Sequence, residues 1–219
     1  MKKSEIKQHF EEQRGKISSR LEDFKKLSDV KEKRKFKELI FVILTSQTGA
    51  EKAWEATETL ESTDLLHTGR SADIEEVLEE QEIQYPEEKS NYIVENREFL
   101  TQPTLVDPER KLKISQKINP DDLQASREWF AENIKGMSWK GSSHFLRNIG
   151  YGDDFAIISS HIINVLHELG LLETLDPPSG KKEYLEIERK FQDLARTLEI
   201  DVKELDLVLW SMRTGKVFK

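Results

Sequence analysis

The chain has 219 residues, of which 36% are apolar and 35% are charged, and its formal net charge is −8. This composition is typical of a globular protein, and the length suits one or two compact helical subdomains around a shared core. The lack of cysteine excludes disulfides, a cysteine nucleophile and a cysteine-ligated iron–sulfur cluster, and the acidic charge weighs against a nucleic-acid partner unless positive charge is local.

Membrane and metal-binding classes are also disfavoured by the sequence. No apolar run approaches the roughly 20 residues that span a bilayer, and the first residues lack the apolar stretch of a signal peptide. The five histidines are scattered without the spacing of metal ligands. We therefore expect an intracellular protein that has no membrane contact and no bound metal.

The first half of the chain carries clear helical patterns. Residues 4–27 are predicted to form an exposed, charged helix. Apolar residues then recur at helical spacing over 36–44, which buries one face of a second helix. Polar residues interrupt this pattern at 45–49, and a further helix is predicted to begin near Ala50.

The middle of the chain alternates short helices with a long irregular stretch. A short helix is predicted over 73–80, and another follows Pro86. Residues 101–120 contain three prolines and are predicted to be the main loop or subdomain crossing. Asp121 or Asp122 is placed to cap the next helix.

The last third of the chain carries two more helical patterns. An Asp-Pro-Pro-Ser-Gly break occupies 176–180, and apolar residues then follow helical spacing over 184–198. Asp201 and Glu204 have the spacing of a capping box that opens a final helix, and Gly215 is placed to end it.

Residues 126–150 predict a helical hairpin whose tight turn contains Gly136. Such a unit exposes unpaired N–H groups at the start of its second helix. These groups and the helix dipole can hold a DNA phosphate without side-chain charge. A net acidic protein can therefore still hold a DNA backbone at one point.

The hairpin sequence resembles a known family. The segment KGMSWKGSSHFLRNIGY, followed by FAII and His161, is similar to the hairpin of the helix-hairpin-helix glycosylases, in particular the archaeal-type 8-oxoguanine DNA glycosylase/lyases. Three further segments resemble the same family in the same order: FKELIFVILTSQTGAEKA, KSNYIVENREFL and LDLVLWSMRTGKVFK. The resemblance implies an all-α helix-hairpin-helix glycosylase fold, one domain over 1–219 with two helical subdomains flanking a base-binding cleft.

The resemblance implies a bifunctional enzyme of base-excision repair that removes 8-oxoguanine and cleaves abasic sites, with no cofactor. Its partner would be double-stranded DNA containing oxidised guanine or abasic sites, and we expect a monomer. Lys140 matches the family's catalytic lysine. A neutral amine at a helix start, in a desolvated cleft, can attack C1′ of a nucleotide, expel the base and leave a Schiff base from which β-elimination follows. The alternative is a solvated or phosphate-contacting lysine.

Ser159 stands where the family has a catalytic aspartate, so the resemblance breaks at this residue. Serine can still cap the following helix, but it carries no charge to stabilise a cationic sugar, and losing one such group typically costs ~10²–10³ in rate. Three outcomes stay open: a slow enzyme, a substitute carboxylate from Asp153 or Asp154, and a lesion- or abasic-site-binding relative with lyase-only or lost glycosylase activity.

Base recognition is implied for two C-terminal residues and one loop residue. Lys219 matches the family's terminal lysine and Trp210 its pocket tryptophan. The alternatives are a frayed terminus and a core aromatic residue. Gln47 lies in a loop from which a polar side chain can fill the gap left by an extruded nucleotide. Its alternative role is that of a helix-terminal polar residue.

We expect DNA contacts from Gly136, Ser138 and Arg147 of the hairpin. Arg147, like His144, has the alternatives of structuring the cleft or forming ordinary surface charge. A function of a different class, a non-catalytic helical interaction module, is favoured by the acidic charge and opposed by the hairpin and its lysine.

Overall fold

A computed structural model of the chain describes residues 1–103, 105 and 108–218. Every regular element in these ranges is helical, as the sequence predicts. The α-helices are α1 (Lys3–Lys26), α2 (Glu32–Leu44), α3 (Ala50–Ser62), α4 (Leu65–Thr68), α5 (Ser71–Glu80), α6 (Pro86–Leu100), α7 (Leu123–Asn133), α8 (Trp139–Asn148), α9 (Ser160–Glu168), α10 (Lys181–Leu198) and α11 (Val202–Thr214). Short 3₁₀ turns occupy Leu27–Asp29 and Ser115–Lys117.

The helix ends follow the predicted signals, with one exception. Asp122 caps α7, because its carboxylate accepts the Ala125 amide at 2.9 Å. Gly215 ends α11 in the left-handed region, at φ +75°. The predicted capping box is wrong in its detail: Asp201 precedes α11, but its side chain makes no capping hydrogen bond, and the first turn closes on the Asp201 carbonyl instead.

The chain divides into two compact units, and each has its own apolar core. Unit one combines Met1–Ser28 with Leu146–Lys219. In it α1 packs along α11, which also contacts α9 and α10. The core of unit one includes Ile6, Phe10, Ile17, Phe24, Phe191, Leu205, Val208 and Leu209.

Unit two comprises Asp29–Phe145. Its central helix is α2, which contacts α3 and α6 and buries every residue from position 35 to 44. The carboxylate of Glu32 accepts the amides of Ile114, at 2.5 Å, and Ser115, at 3.2 Å, which ties the segment before α7 to the start of α2. The boundary between the units falls inside α8, after Phe145.

One domain over 1–219 stays a prediction, since the structure resolves two compact units. Across the described ranges, no helix has the length and apolar character that crossing a bilayer requires.

Candidate functional site

The hairpin predicted over 126–150 is formed by α7, a turn and α8. Gly136 lies in the turn at φ +77°, a region that L side chains rarely adopt. A Cβ on this glycine would lie 2.7 Å from Tyr92 Cδ2 and 3.1 Å from Ile43 Cγ2. Glycine is therefore required twice, for its backbone angle and for the close approach of the turn to α6 and α2.

Asn96 of α6 holds the same turn through two hydrogen bonds. Its Nδ2 donates to the Lys135 carbonyl at 3.0 Å, and its Oδ1 accepts the Lys135 amide at 2.9 Å. The side chain is 1% exposed. Because a buried amide that lost these partners would leave polar groups unsatisfied, Asn96 specifies how the turn meets α6.

Lys140 lies in the first turn of α8, directly after the hairpin turn. The Ser138 hydroxyl accepts the Gly141 amide at 3.1 Å and so caps this helix start. Lys140 is half-buried, and desolvation lowers the pKa of its amine below the ordinary lysine value. A lowered pKa raises the fraction of neutral amine, which is the nucleophilic form.

The rest of α8 packs against buried polar and aromatic side chains of α7 and α2. Arg127 of α7 is fully buried, donates to Ser143 Oγ at 3.2 Å and lies 5.0 Å from the Trp139 ring. His144 is buried edge-on against Phe41 at 5.8 Å between ring centroids. Because these contacts hold α8 rigidly, the Lys140 backbone is well positioned.

Ser159, in unit one, is the N-cap of α9. Its Oγ accepts the Ile162 amide at 3.4 Å. The segment leading to it is buried and held by α10: Tyr184 Oη donates to the Ala156 carbonyl at 2.7 Å, and Glu188 accepts the Ala156 amide at 3.0 Å. Ser159 thus follows a buried segment that is hydrogen-bonded to α10, and it has the capping role that the sequence predicts.

The two carboxylates suggested as substitutes lie on the surface of unit one. Asp153 and Asp154 are both exposed. Asp153 pairs with Lys203 at 2.5 Å, and the Asp154 carbonyl accepts Gln192 Nε2 at 3.0 Å. These surroundings are those of ordinary solvated acids.

Trp210 lies on α11 and is half-buried, unlike the buried residues 205–209 that precede it. The His161 ring meets it edge-on, at 4.9 Å between centroids and an interplanar angle of 87°. Burial lowers the pKa of His161, and the Arg213 charge lowers it further. A half-exposed indole braced by a histidine can offer a flat surface to an aromatic ligand.

The C-terminal tail is attached to α1. Arg20 Nε donates to the Phe218 carbonyl at 3.1 Å, and the guanidinium lies 5.9 Å from the Phe218 ring. Lys219, the predicted base-recognition residue, lies outside the described residues.

Gln47 is exposed in the turn between α2 and α3 and has φ +55°. This position leaves its side chain in solvent, as a gap-filling residue requires.

Arg147 is buried, in contrast to the exposed residues Gly136 and Ser138 with which it was predicted to contact DNA. Its guanidinium donates to Asp206 at 2.7 Å and lies 4.9 Å from the Phe24 ring. Burial raises the pKa of the Asp206 carboxyl, and the Arg147 charge opposes that shift. This placement favours the alternative role, structuring the fold, over a direct contact with DNA.

The predicted residues thus fall into separate local groups. Gly136, Ser138 and Lys140 lie together on one hairpin of unit two, whereas Ser159 and Trp210 belong to unit one. Sequence reasoning missed the residues that support them, chiefly Asn96 and Tyr184. The sequence contained only a weak signal for such supporting residues, namely a polar side chain at a position of a helix where the apolar spacing predicts burial.

Comparisons with known proteins agree on one family. A family model described as 8-oxoguanine DNA glycosylase matches residues 17–200. A Fusobacterium nucleatum protein named 8-oxoguanine DNA glycosylase/AP lyase is 36% identical, covering 99% of this chain and 97% of its own. The crystal structure of the 8-oxoguanine DNA glycosylase of Thermotoga maritima has TM-score 0.86 and 30% identity, covering 99% of this chain and 98% of its own.

A solved complex extends the comparison to DNA. The Methanocaldococcus jannaschii 8-oxoguanine glycosylase/lyase, bound to a 15mer DNA containing 8-oxoguanine, has TM-score 0.83 and 30% identity to this chain. The match covers 98% of this chain and 99% of that one.

Proposed function

The chain belongs to the 8-oxoguanine DNA glycosylase family, and on that premise we propose that it removes 8-oxoguanine from double-stranded DNA and then cuts the strand as an AP lyase. The observation that carries this proposal is Lys140, a half-buried amine with a lowered pKa in the first turn of α8. The full-length similarity to named glycosylase/lyases disfavours a non-catalytic interaction module.

Lys140 supplies the nucleophile of the reaction. Its neutral amine attacks C1′, the C1′–N9 bond breaks, and the base leaves with the bonding pair and takes up a proton. Loss of the amine protons and opening of the sugar ring give a Schiff base between Nζ and C1′. Removal of a C2′ proton then expels the 3′ phosphate by β-elimination, and water releases the enzyme from the imine.

DNA is held by the start of the same helix. Gly136 and Ser138 are exposed at the hairpin turn, where backbone amides and the helix dipole favour a phosphate. The M. jannaschii relative was solved with DNA, which supports a DNA-bound state for this chain. A local site of this kind reconciles DNA binding with a net charge of −8.

We assign base recognition to three residues. Trp210 offers its half-exposed face for stacking, and Lys219 reads the oxidised edge of the base. Gln47 fills the gap that the extruded nucleotide leaves. The tail before Lys219 is held by Arg20, so a defined position for the terminal residue is physically reasonable.

Ser159 favours one competing activity, a lyase with weakened or lost base release. If it occupies the position of the family aspartate, its neutral hydroxyl satisfies the α9 amide but contributes no charge to the cationic sugar. The lyase steps depend chiefly on the Lys140 amine, so they persist in either case. Base release from 8-oxoguanine DNA, compared with cleavage of abasic DNA, separates the two activities.

The test is covalent trapping by borohydride, which reduces a Schiff base to a stable amine. We expect the protein to be trapped on duplex DNA containing 8-oxoguanine or an abasic site, and not on the matched guanine duplex. Trapping on abasic DNA alone would support the lyase-only activity. Failure to trap on either lesion would contradict the covalent mechanism.

We also propose that the protein acts as a monomer on intracellular DNA and without a metal or cofactor. The lysine chemistry needs neither, so trapping should be unchanged by EDTA. A molar mass close to 25.6 kDa, measured in solution by light scattering, would agree with the monomer.

A further inference from the structure

Lys89 of α6 is a buried lysine that the proposed reaction does not use. Its side chain is 4% exposed, and its amine donates to the Ser46 carbonyl at 2.7 Å, the Leu44 carbonyl at 3.1 Å and Thr48 Oγ1 at 3.4 Å. An ammonium has three donors, and here three acceptors surround it. Leu44 is the last residue of α2, so the cation also lies at the negative end of that helix.

All three acceptors belong to the end of α2 or to the turn Thr45–Thr48, which contains Gln47. The turn is closed by the Thr48 amide, which donates to the Thr45 carbonyl at 3.3 Å. Gln47 has φ +55°, a left-handed conformation that is strained for a residue other than glycine. Such a conformation persists only when surrounding contacts determine it, and Lys89 supplies them on both sides of Gln47.

The anchor also connects the turn to the segment before α6. Thr48 Oγ1 accepts the Gln84 amide at 3.2 Å, so its oxygen lies between this amide and the Lys89 amine. Burial lowers the pKa of Lys89 to about 8, and the group therefore keeps its proton at pH 7. Removing a charged amine from water is costly unless hydrogen bonds compensate for the lost hydration. The hydrogen bonds of the Lys89 ammonium to the turn provide this compensation and hold the turn in place.

We propose that Lys89 is a positioning residue for base excision: it fixes the turn Thr45–Thr48 and so directs Gln47 toward the gap left by an extruded nucleotide. This inference rests on the proposed function, because a gap exists only when a base is flipped out of a duplex. Lys89 itself lies under the turn and touches neither the base nor the sugar in this mechanism.

The experiment compares Lys89→Met with Lys35→Met, a matched control. Lys35 is also 4% exposed and lies in unit two, but its amine donates to Ser115 Oγ at 2.7 Å, away from the turn. Single-turnover cleavage is measured on an 8-oxoguanine duplex and on a single-stranded abasic oligonucleotide, which has no orphan base. We expect Lys89→Met to lose about tenfold on the duplex only, with Lys35→Met within about twofold on both substrates.

A double variant separates positioning from general stability. In a Gln47→Ala background, Lys89→Met should lower the duplex rate by no more than about twofold, since the side chain that it positions is gone. Equal losses on the duplex and on the single strand, or full additivity with Gln47→Ala, would overturn the proposal. Lys89→Arg, which keeps the charge and the donors, should restore part of the duplex rate.

Amide hydrogen exchange tests the anchor without relying on catalysis. Exchange at residues 45–48 should accelerate by about tenfold or more in Lys89→Met and stay unchanged in Lys35→Met. Unchanged exchange in Lys89→Met would overturn the anchor, whereas an unmodified protein that releases no 8-oxoguanine would overturn the proposed function. Should Lys89→Met fail to fold, Thr48→Val removes one acceptor, and we expect faster exchange and about a threefold loss confined to the duplex.

Discussion

Helices α8 and α9 begin in the same way, each behind a serine whose hydroxyl accepts an amide of the first turn. Ser138 accepts the Gly141 amide at 3.1 Å, and Ser159 accepts the Ile162 amide at 3.4 Å. At the start of α8 the chain adds a half-buried amine, Lys140, whose pKa desolvation lowers. At the start of α9 the capping residue itself brings no charge.

The comparison shows that capping a helix and supplying a charge are separable tasks. A neutral hydroxyl satisfies a first-turn amide about as well as a carboxylate does, so folding by itself does not demand an aspartate at position 159. A charge at that position would matter for chemistry alone, through a developing cation on the sugar. Changes at the two helix starts should therefore affect activity very differently for similar effects on stability.

Removing the amine should give the largest effect. Lys140→Ala is expected to abolish borohydride trapping and to lower strand cleavage by at least about a thousandfold, because no other group forms the Schiff base. Lys135→Ala, an exposed lysine of the same hairpin, is the control and should still be trapped at low salt. Trapping of Lys140→Ala at the unmodified rate would assign the nucleophile elsewhere.

Adding the charge should give the next largest effect. Ser159→Asp is expected to raise single-turnover release of 8-oxoguanine by about 10²-fold while cleavage of abasic DNA changes little. Ser159→Ala, the control, loses the cap at a cost of about 1 kcal/mol in the free energy of unfolding and gains no rate. Base release that is already fast in the unmodified protein, and that Ser159→Asp leaves unchanged, would remove the contrast between the two helix starts.

Proton loss from Lys140 should govern the pH dependence of trapping. Below the pKa of its amine the trapping rate should fall about tenfold per pH unit. The pKa read from this pH profile should lie below the ordinary lysine value of 10.5, because burial disfavours the ammonium.

The same lowered pKa should make the free energy of unfolding depend on pH. The buried charge costs stability below the folded pKa, and relative to Lys140→Met that cost should disappear as pH rises from the folded pKa toward 10.5. A trapping profile whose pKa lies at or above 10.5 would contradict a desolvated Lys140 amine.

The last expected effect is on stability and not on activity, and it concerns the turn that precedes α8. Gly136→Ala introduces a Cβ at φ +77° and 2.7 Å from Tyr92, which should cost about 2–4 kcal/mol in urea unfolding. Gly170→Ala in unit one has a similar φ of +72° but open space around the Cβ, so it should cost only about 1 kcal/mol. Equal losses in the two variants would mean that the turn yields easily and does not hold α8 in place.

Local sequence signals predicted most of the fold correctly. The apolar stripe of α2, the cap at Asp122 and the stop at Gly215 all act within one or two helical turns, and the structure confirms each. The all-α helix-hairpin-helix fold and the family were predicted from four segments that resemble the family, and both are confirmed by full-length likeness. The four-residue helix α4 was missed, because so short an element has no periodicity to read.

Sequence patterns did not reveal interactions whose partner lies far along the chain. Arg147 has the appearance of a surface base on α8, but its ion pair with Asp206 joins residues 59 positions apart. Asn96 meets Lys135 across 39 positions, and Lys89 reaches Ser46 across 43. No periodicity or capping rule spans such distances.

The sequence by itself determined where the longer helices form, where the hairpin turns, and that a lysine stands at the start of its second helix, because these follow from nearest-neighbour backbone preferences and apolar spacing. Only the tertiary structure decided that Lys140 is desolvated, that Arg147 is committed to the interior and that Lys89 supports the Gln47 turn. Burial and hydrogen-bond partners are properties of three-dimensional neighbours, and a linear pattern of residue types does not contain them.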